Sequence, residues 1–256
     1  MDKDNDSSKP QLLKLSASSV KSFVQCPKKY YFNYIDHMPK KHWEHLDLGN
    51  FCHTTLELFH KEYMDNGLGR YDNLNAIMTY AFAEAKRDKE FVGLGRDSLE
   101  AAKDMMIDYL DELKKHKMPN VLCVEQDFEF NIAPDIVLRG YIDRIDKLDN
   151  GRLRVVDYKT SKSGDRYLEN DQLLIYGMWL KRQHPELKDF MGSYVLLKFH
   201  SRAKDVDFNT ADLEKMESKL LKYAGEIKTE NEWITIPSGL CKYCDFYDIC
   251  PAQKGW

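Results

Sequence analysis

The first part of the chain spaces its apolar residues as amphipathic helices do. A helical stretch begins at Ser16 with Val20 and Phe23 on its apolar side, and the pair Cys26-Pro27 interrupts it. Proline cannot continue a helix from its interior, so two helical pieces are predicted there. The same spacing predicts three further helices, over residues 46–64, 71–90 and 97–117.

From Val121 onward the apolar period changes to two, which is typical of strands. Three consecutive strands are predicted over residues 121–132, 136–148 and 152–160. Asp149-Asn150-Gly151 supplies residues that tolerate positive φ, so the last two strands are expected to form a hairpin. A helix over 168–183, a strand over 190–200 and a helix over 211–228 follow. The sequence therefore predicts an α/β fold.

Composition narrows the possible classes of protein. A chain of 256 residues can form one large domain, here predicted over 15–256 after a disordered tail at 1–14. The formal net charge of −4 gives no overall basic signature for nucleic acid, so any DNA contact must be local. No apolar run approaches the ~20 residues of a membrane span, and a cytoplasmic location without membrane contact is expected.

Three charged residues of the predicted hairpin suggest chemistry. Asp143 lies on the first strand, and Asp157 and Lys159 project from one face of the second. Such charges are usually solvated, but the neighbouring Val155 and Val156 indicate a buried strand, where charged groups need partners. Two carboxylates can hold a divalent metal and a lysine can sit beside an attacking water, which is equipment for cutting a phosphodiester.

Two predicted helices offer further candidates. His53 stands among apolar residues on the helix 46–64 and could complete a metal site, whereas His60 serves as an inert comparison. Gln172 and Tyr176 are four residues apart and share a helix face. That helix follows the strand of Lys159, so both side chains are expected at the edge of the same site.

Four of the six cysteines form a pattern suited to metal binding. Cys241, Cys244 and Cys250 are close together near the end of the chain, and Cys26 is the upstream candidate for a fourth ligand. Spacing alone favours structural zinc and leaves an iron–sulfur cluster open. The other two cysteines, Cys52 and Cys123, are interpreted as small core residues.

Taken in order, these motifs resemble the RecB-like branch of the PD-(D/E)XK nuclease superfamily. The layout is similar to that of the iron–sulfur CRISPR-associated Cas-four exonucleases and of the AddB nuclease domain. The resemblance covers about residues 15–251 and predicts the restriction-endonuclease-like core sheet flanked by helices. The matching segments are Ser16-Ala17-Ser18-Ser19 with Phe23 and Cys26-Pro27, Gly49-x-x-x-His53, Gly140-Tyr141-Ile142-Asp143-Arg144, Val156-Asp157-Tyr158-Lys159-Thr160 and Gln172-x-x-x-Tyr176.

The resemblance implies a role for each matching position. It implies Mg²⁺ or Mn²⁺ bound by His53, Asp143, Asp157 and the main-chain carbonyl of Tyr158. It assigns Lys159 as the catalytic lysine, with Gln172 and Tyr176 as the trailing motif. Some relatives carry an extra acid where Glu125 stands, and Glu129 is an equally placed rival. One cysteine before the core and three after it imply a [4Fe–4S] cluster on Cys26, Cys241, Cys244 and Cys250.

The expected activity is metal-dependent hydrolysis of DNA, by an exonuclease acting on single strands or DNA ends, with DNA-processing proteins as partners. Within the domain, residues 46–117 are expected to form a helical cap, 121–200 the catalytic core and 233–251 a cluster-binding tail joined to Cys26. Two alternatives stay open: a RecB-like module that binds DNA or a partner without cutting, and a zinc-stapled interaction protein with surface carboxylates. The chain has no Gly-x₄-Gly-Lys-Ser/Thr phosphate loop, so no motor of that type is expected.

Overall fold

The computed structural model describes residues 12–69, 73–161 and 169–253, which divide into two compact units interleaved along the chain. Unit 1 comprises Met1–His42, Phe128–Gly140 and Glu214–Trp256, and unit 2 comprises Trp43–Asp127 and Tyr141–Leu213. The helices are α1 (Ala17–Gln25), α2 (Pro27–Tyr30), α3 (Glu44–Asn66), α4 (Leu74–Arg87), α5 (Arg96–Lys114), α6 (Asp171–Gln183) and α7 (Thr210–Thr229). The strands are β1 (Leu13–Leu15), β2 (Asn120–Ala133), β3 (Ile136–Lys147), β4 (Leu153–Lys159), β5 (Asp189–Leu196) and β6 (Arg202–Asn209).

The six strands form one mixed sheet in the order β1-β3-β4-β5-β6, with β2 also paired to β3. The β3–β4 pair is antiparallel with Arg144 opposite Val156, as expected of a hairpin. The β4–β5 pair is parallel with Asp157 opposite Tyr194, and α6 makes the crossover between these two strands. Strand β4 therefore lies between two neighbours, which explains its continuous burial from Val155 to Tyr158.

Helices pack on both faces of the β4–β5 pair within unit 2. Helices α3, α4 and α5 share an apolar core with Val156 and Tyr158 of β4. Side chains alternate along a strand, so Asp157 projects to the opposite face. There it meets α6, because the hydroxyl of Tyr176 lies 3.4 Å from Asp157 Oδ1. The apolar core shared with α3, α4 and α5 and the carboxylate of Asp157 thus lie on opposite faces of β4.

Unit 1 contains the N-terminal helices and the C-terminal segment. Ser16 caps α1 by accepting a hydrogen bond from the Ser19 backbone N–H, and the Ser19 hydroxyl accepts one in return. Cys26 has extended backbone between α1 and α2, so the predicted break at Cys26-Pro27 is confirmed. The ring of Tyr30 stacks on that of Trp233 at 5.8 Å, which joins α2 to the C-terminal segment.

Most of the predicted elements are confirmed, with ends that differ by a few residues. Strands β1 and β6 were not predicted, because β1 spans three residues and β6 is largely exposed and charged. The predicted tail over 1–14 ends inside β1, and its residues 1–11 lie outside the described part of the chain. The predicted strand 190–200 stops at Leu196 and gives way to a 3-10 turn. Every helix in the described residues is too short or too polar to cross a lipid bilayer.

Candidate metal and catalytic centre

Asp143 and Asp157 lie side by side where the β3–β4 pairing ends. The strand register, with Arg144 opposite Val156, places Asp143 and Asp157 at the next position (144 + 156 = 143 + 157). Both carboxylates are buried, at 8% and 2% exposure. Asp143 Oδ2 accepts a hydrogen bond of 2.7 Å from the backbone N–H of Tyr158, which fixes its orientation. The two predicted acids are therefore brought together.

Helix α3 brings His53 to this pair of acids. His53 Nδ1 lies 3.3 Å from Asp143 Oδ1, although the two residues are ninety positions apart (143 − 53 = 90). Gly49, one turn earlier, permits this approach: a Cβ there would lie 3.2 Å from Thr160 Oγ1, just after β4. The Gly49-x-x-x-His53 spacing thus combines a close helix–strand contact with a ligand on the next turn.

Glu125 of β2 is the acid that joins the group. One ligand atom each from His53, Glu125 and Asp143 lie within 4.8 Å of one another. The rival, Glu129, instead forms a surface ion pair with Lys14 at 3.2 Å. Glu125 has a φ of +46°, a left-handed conformation that is rare for a residue with a long side chain. Strained backbone of this kind is often found at functional sites. Here it occurs at the residue whose carboxylate lies beside His53 and Asp143.

The donor atoms suit a divalent metal. Carboxylate oxygens are the ligands of Mg²⁺, and a mixed set of carboxylates and one imidazole suits Mn²⁺ as well. His53, Glu125 and Asp143 provide both kinds of donor at the mutual spacing given above. Asp157 adds a further buried carboxylate next to Asp143. The residues present therefore fit the cation that the sequence motifs imply.

Lys159, Asp157, Tyr176 and Gln172 form a closed ring of polar contacts beside the acids. Lys159 Nζ lies 2.6 Å from Asp157 Oδ2 and donates to Gln172 Oε1 at 2.9 Å. The Gln172 amide donates to the Tyr176 hydroxyl at 2.7 Å, and that hydroxyl lies 3.4 Å from Asp157 Oδ1. Helix α6 thus places both members of the trailing motif at the edge of the site, as their spacing predicted.

The charges at this centre are strongly coupled. Burial alone would lower the pKa of His53, but the carboxylate of Asp143, with Asp157 and Glu125 behind it, raises that pKa to about 9. Burial raises the pKa of Glu125 to about 7, and Asp143 adds to the shift. Burial also raises the pKa of Asp157 to about 6, with Lys159 opposing and Asp143 assisting. A bound cation would stabilise the ionised forms of these crowded carboxylates.

The four patterned cysteines belong to unit 1, where Cys26 and the C-terminal three are half-buried. The Ile236 backbone N–H donates to Cys26 Sγ at 3.5 Å, and the Ser238 N–H donates to Cys241 Sγ at 3.2 Å. Burial raises the pKa of the Cys244 thiol, and the nearby sulfur of Cys26 contributes to the rise. The upstream cysteine therefore lies near the C-terminal group, although Cys26 and Cys241 are 215 positions apart (241 − 26 = 215).

The remaining two cysteines lie in unit 2. Cys52 is fully buried in the core of α3 and its neighbours, as predicted for a small core residue. Cys123 is only half-buried on β2.

Comparison with known proteins identifies the family. Residues 14–251 match the model of the PD-(D/E)XK nuclease superfamily. The chain belongs to the PD-(D/E)XK nuclease superfamily. The resemblance inferred from the motifs is thereby confirmed, together with the core sheet that it implied.

Individual relatives agree with this membership of the superfamily. The chain is 27% identical over 232 residues to an ATP-dependent helicase/deoxyribonuclease subunit from Streptococcus pyogenes serotype M1, and equally to the corresponding subunit from serotype M49 strain NZ131. The match covers 83% of this chain but only 21% of each relative. A solved structure of a candidate exonuclease from Eubacterium rectale shares the fold, with a TM-score of 0.55 and 12% identity, covering 100% of this chain and 92% of that one.

Sequence reasoning gave Arg144 no role beyond its place in the motif over residues 140–144, and it missed Tyr109 of α5. Arg144 lies behind Asp143, where its guanidinium contacts His60, Tyr109 and the hydroxyl of Tyr158. His60, the comparison for His53, is not in the group formed by His53, Glu125 and Asp143. It is 1% exposed and contacts Arg144 and Tyr109 instead. The available signal for Arg144 was its charge, which stands next to Asp143 in a strand that is otherwise buried.

Proposed function

We propose that the chain is a divalent-metal-dependent DNA nuclease that acts as an exonuclease on single-stranded DNA or DNA ends. The observation that carries this proposal is the convergence of His53, Glu125 and Asp143 within 4.8 Å, beside the Asp157–Lys159 ion pair. Membership of a nuclease superfamily and the name of the Streptococcus relatives, which are helicase/deoxyribonuclease subunits, support the reaction and the substrate.

The metal would be held by His53, Asp143 and Asp157, with Glu125 and the Tyr158 carbonyl completing the set. When bound, Mg²⁺ or Mn²⁺ supplies Lewis-acid polarisation of the scissile phosphate and lowers the pKa of an attacking water. The protein's own part begins with Asp143, whose carboxylate is held in place by the Tyr158 N–H before any ligand arrives. His53 must lose its proton to ligate, so metal binding and proton release are coupled.

Lys159 is proposed to stabilise negative charge that develops on the phosphate. Its ammonium group is already held by Asp157 and Gln172, so little reorganisation is needed at the moment of reaction. Gln172 and Tyr176 orient that ammonium group and also offer amide and phenol donors to the DNA backbone. This arrangement explains why the lysine and the trailing helix motif would be required together.

Cleavage of end-labelled DNA tests the proposal, with single-stranded and blunt duplex substrates in Mg²⁺, Mn²⁺ or chelator. Glu125→Gln and Glu129→Gln form a matched pair, since both neutralise one acid of β2 and only Glu125 lies at the centre. We expect metal-dependent, end-directed cleavage that favours single strands, strongly reduced in Glu125→Gln and unchanged in Glu129→Gln. DNA binding without cleavage under every metal condition would instead establish the non-cleaving module.

We further propose that Cys26, Cys241, Cys244 and Cys250 bind a [4Fe–4S] cluster that fastens α1 to the C-terminal segment. The sulfur contacts support a metal site, because backbone N–H groups that donate to Cys26 and Cys241 stabilise thiolates. The site lies in the same unit as the aromatic stack of Tyr30 on Trp233. A cluster there would be structural, since it would join segments that are far apart in sequence.

Metal analysis of anaerobically purified protein distinguishes cluster from zinc. We expect about four iron and four sulfide per chain, as the proposed cluster type requires, with a brown chromophore that Cys26→Ala removes. Cys52→Ala is the matched control, because Cys52 is buried in unit 2, whereas the four patterned cysteines belong to unit 1. One zinc per chain and a colourless protein would replace the cluster by a zinc staple.

A further inference from the structure

A buried polar network, here called the Arg144 network, lies behind the candidate metal centre in unit 2. Its members are His60, Tyr109, Arg144, Asp146 and Tyr158. Arg144 Nη1 lies 2.9 Å from His60 Nε2, 2.5 Å from the Tyr109 hydroxyl and 2.7 Å from the Tyr158 hydroxyl. The His60 ring and the Tyr109 hydroxyl are themselves 2.6 Å apart. One guanidinium therefore binds side chains from α3, α5 and β4 at once.

The charge of Arg144 is balanced within the sheet. Arg144 Nη2 donates to Asp146 Oδ2 at 3.1 Å, and Arg144 Nε lies 2.9 Å from Asp146 Oδ1. Arg154 of the neighbouring strand donates to the same carboxylate at 2.6 and 2.9 Å. Arg144 and Asp146 are 4% and 1% exposed, so this ion pair is fully withdrawn from water. Its geometry is consequently fixed by direct contacts and not by solvent.

Three elements that supply the metal centre, α3, β3 and β4, also supply members of this network. Arg144 follows Asp143 on β3, and Tyr158 separates Asp157 from Lys159 on β4. His60 lies two turns beyond His53 on α3 and therefore shares its general side of the helix. The network thus has at least one member on each of these three elements.

Tyr158 connects the network and the centre most directly. Its backbone N–H donates to Asp143 Oδ2 at 2.7 Å, while its hydroxyl accepts from Arg144. The edge of its ring meets the His53 ring, with centroids 5.9 Å apart. A shift of the Tyr158 side chain would therefore reach both His53 and Asp143.

Stability alone is a poor explanation of the network. Replacing a buried ion pair by apolar residues of similar volume is often neutral or stabilising. His60 also forgoes a hydrogen bond: Arg144 can only donate, so Nε2 accepts and the ring proton resides on Nδ1, which lacks a partner among the described residues. Burial, reinforced by Arg144, holds the pKa of His60 well below its usual range, in accord with a neutral ring.

We infer that His60, Tyr109 and Arg144 are positioning residues, whose network sets the separation of His53 from Asp143 and thereby the affinity of the centre for a divalent metal. The inference rests on the proposed function, because it assumes that His53 and Asp143 bind the same ion. Contacts behind a metal ligand commonly change metal affinity by about 10- to 100-fold when removed. Among the described contacts, none of His60, Tyr109 and Arg144 reaches a donor atom of the metal ligands directly, so an effect at the lower end of that range is expected.

Calorimetric titration with Mn²⁺ tests the inference on the full chain, alongside thermal melting of the same samples. His60→Leu and Tyr109→Phe remove an acceptor or a hydroxyl without touching a ligand, and should raise the Mn²⁺ Kd about tenfold. His60→Gln offers an amide oxygen near the Nε2 position and should recover most of the affinity. Met106→Ala creates a cavity in the core beside α5 and controls for general destabilisation. It should leave the Mn²⁺ Kd within about threefold of wild type.

The possible outcomes distinguish failure of this inference from failure of the proposed function. Wild-type Mn²⁺ affinity in His60→Leu and Tyr109→Phe, with melting lowered as in Met106→Ala, overturns the inference and leaves the proposed function standing. Equal loss of affinity in His60→Gln and His60→Leu also contradicts it, because the acceptor would then be irrelevant. Failure of the wild-type protein to bind Mn²⁺ overturns the proposed function and this inference together.

Discussion

Gly177 of α6 packs against the sheet so closely that a single added methyl group should disturb the candidate site. A Cβ at this position would lie 2.1 Å from Cζ and 2.4 Å from Cε1 of Phe190, and 3.0 Å from Leu213 Cδ2. Phe190 is fully buried and its ring stacks on Phe208 at 5.3 Å, so it cannot rotate away. The substitution Gly177→Ala therefore has to move α6.

The size of the displacement follows from the contact distance. Carbon atoms meet at about 3.6 Å or more, so the 2.1 Å approach requires a shift of about 1.5 Å. Overpacking costs about 1–3 kcal/mol, and the better helix propensity of alanine returns at most about 1 kcal/mol. With the clash at the severe end, a net loss of about 2 kcal/mol is expected. For a chain of this size that loss lowers the melting temperature by about 4–8 °C.

The same displacement should reduce cleavage. Gln172 and Tyr176 are on α6, and a shift of about 1.5 Å would extend the 2.9 Å contact from Lys159 to Gln172 beyond hydrogen-bonding range. Misplacement of a catalytic group by about 1 Å can cost about 100-fold in rate. The kcat should therefore fall by much more than the loss of folded protein would cause.

Thermal melting and single-turnover cleavage check this expectation. Gly225→Ala in α7 is the matched control, because a Cβ there meets no atom within 4 Å and should be neutral or slightly stabilising. A Gly177→Ala protein that melts and cleaves like wild type would refute the packing argument.

Three further predictions concern the candidate centre and the cysteines. Asp157→Ala should abolish Mn²⁺ binding and cleavage, whereas Lys159→Ala should abolish cleavage and leave the calorimetric Mn²⁺ affinity near wild type; equal, wild-type-like cleavage by both would contradict the site. Because the pKa of His53 is raised to about 9, its contribution to the stability of the metal-free protein is complete below its unfolded value of about 6.5 and is lost as pH rises through 9. Ligation needs the neutral ring, so Mn²⁺ affinity should rise between pH 7 and 9 by up to about tenfold per unit, and a flat titration profile would argue against His53 as a ligand. Cys241→Ser should lose iron and melt earlier than wild type, whereas Cys123→Ser should retain its iron content.

Local pattern was sufficient to predict much of the fold. The period-two run around Asp143 and Asp157, with a turn of Asp149-Asn150-Gly151 between its halves, predicts a hairpin that the structure contains. Helical spacing likewise placed Gln172 and Tyr176 on one face of α6. These features depend on neighbours within a few residues, which is the range that periodicity reports.

Long-range packing accounts for what the sequence did not reveal. Nothing near His53 indicates a partner ninety positions later, so its placement beside Asp143 came from a family resemblance and not from spacing (143 − 53 = 90). The choice of Glu125 over Glu129 depends on a left-handed residue inside β2, which disrupts the alternation on which faces are assigned. The contacts of Arg144 join α3, α5 and β4 and have no local signature beyond a charge in a buried strand.

The positive φ of Glu125 bears on the choice between glutamate and aspartate at this position. Aspartate tolerates positive φ better than glutamate, so Glu125→Asp would relieve backbone strain at the site. The same exchange shortens the side chain by one methylene and withdraws its carboxylate from the group that it shares with His53 and Asp143. Thermostability and activity would then be selected in opposite directions at this one residue. Under the proposed function, a chain evolving toward a binding-only role would be free to take the relaxed alternative, so residue 125 is expected to differ between cleaving and binding-only relatives.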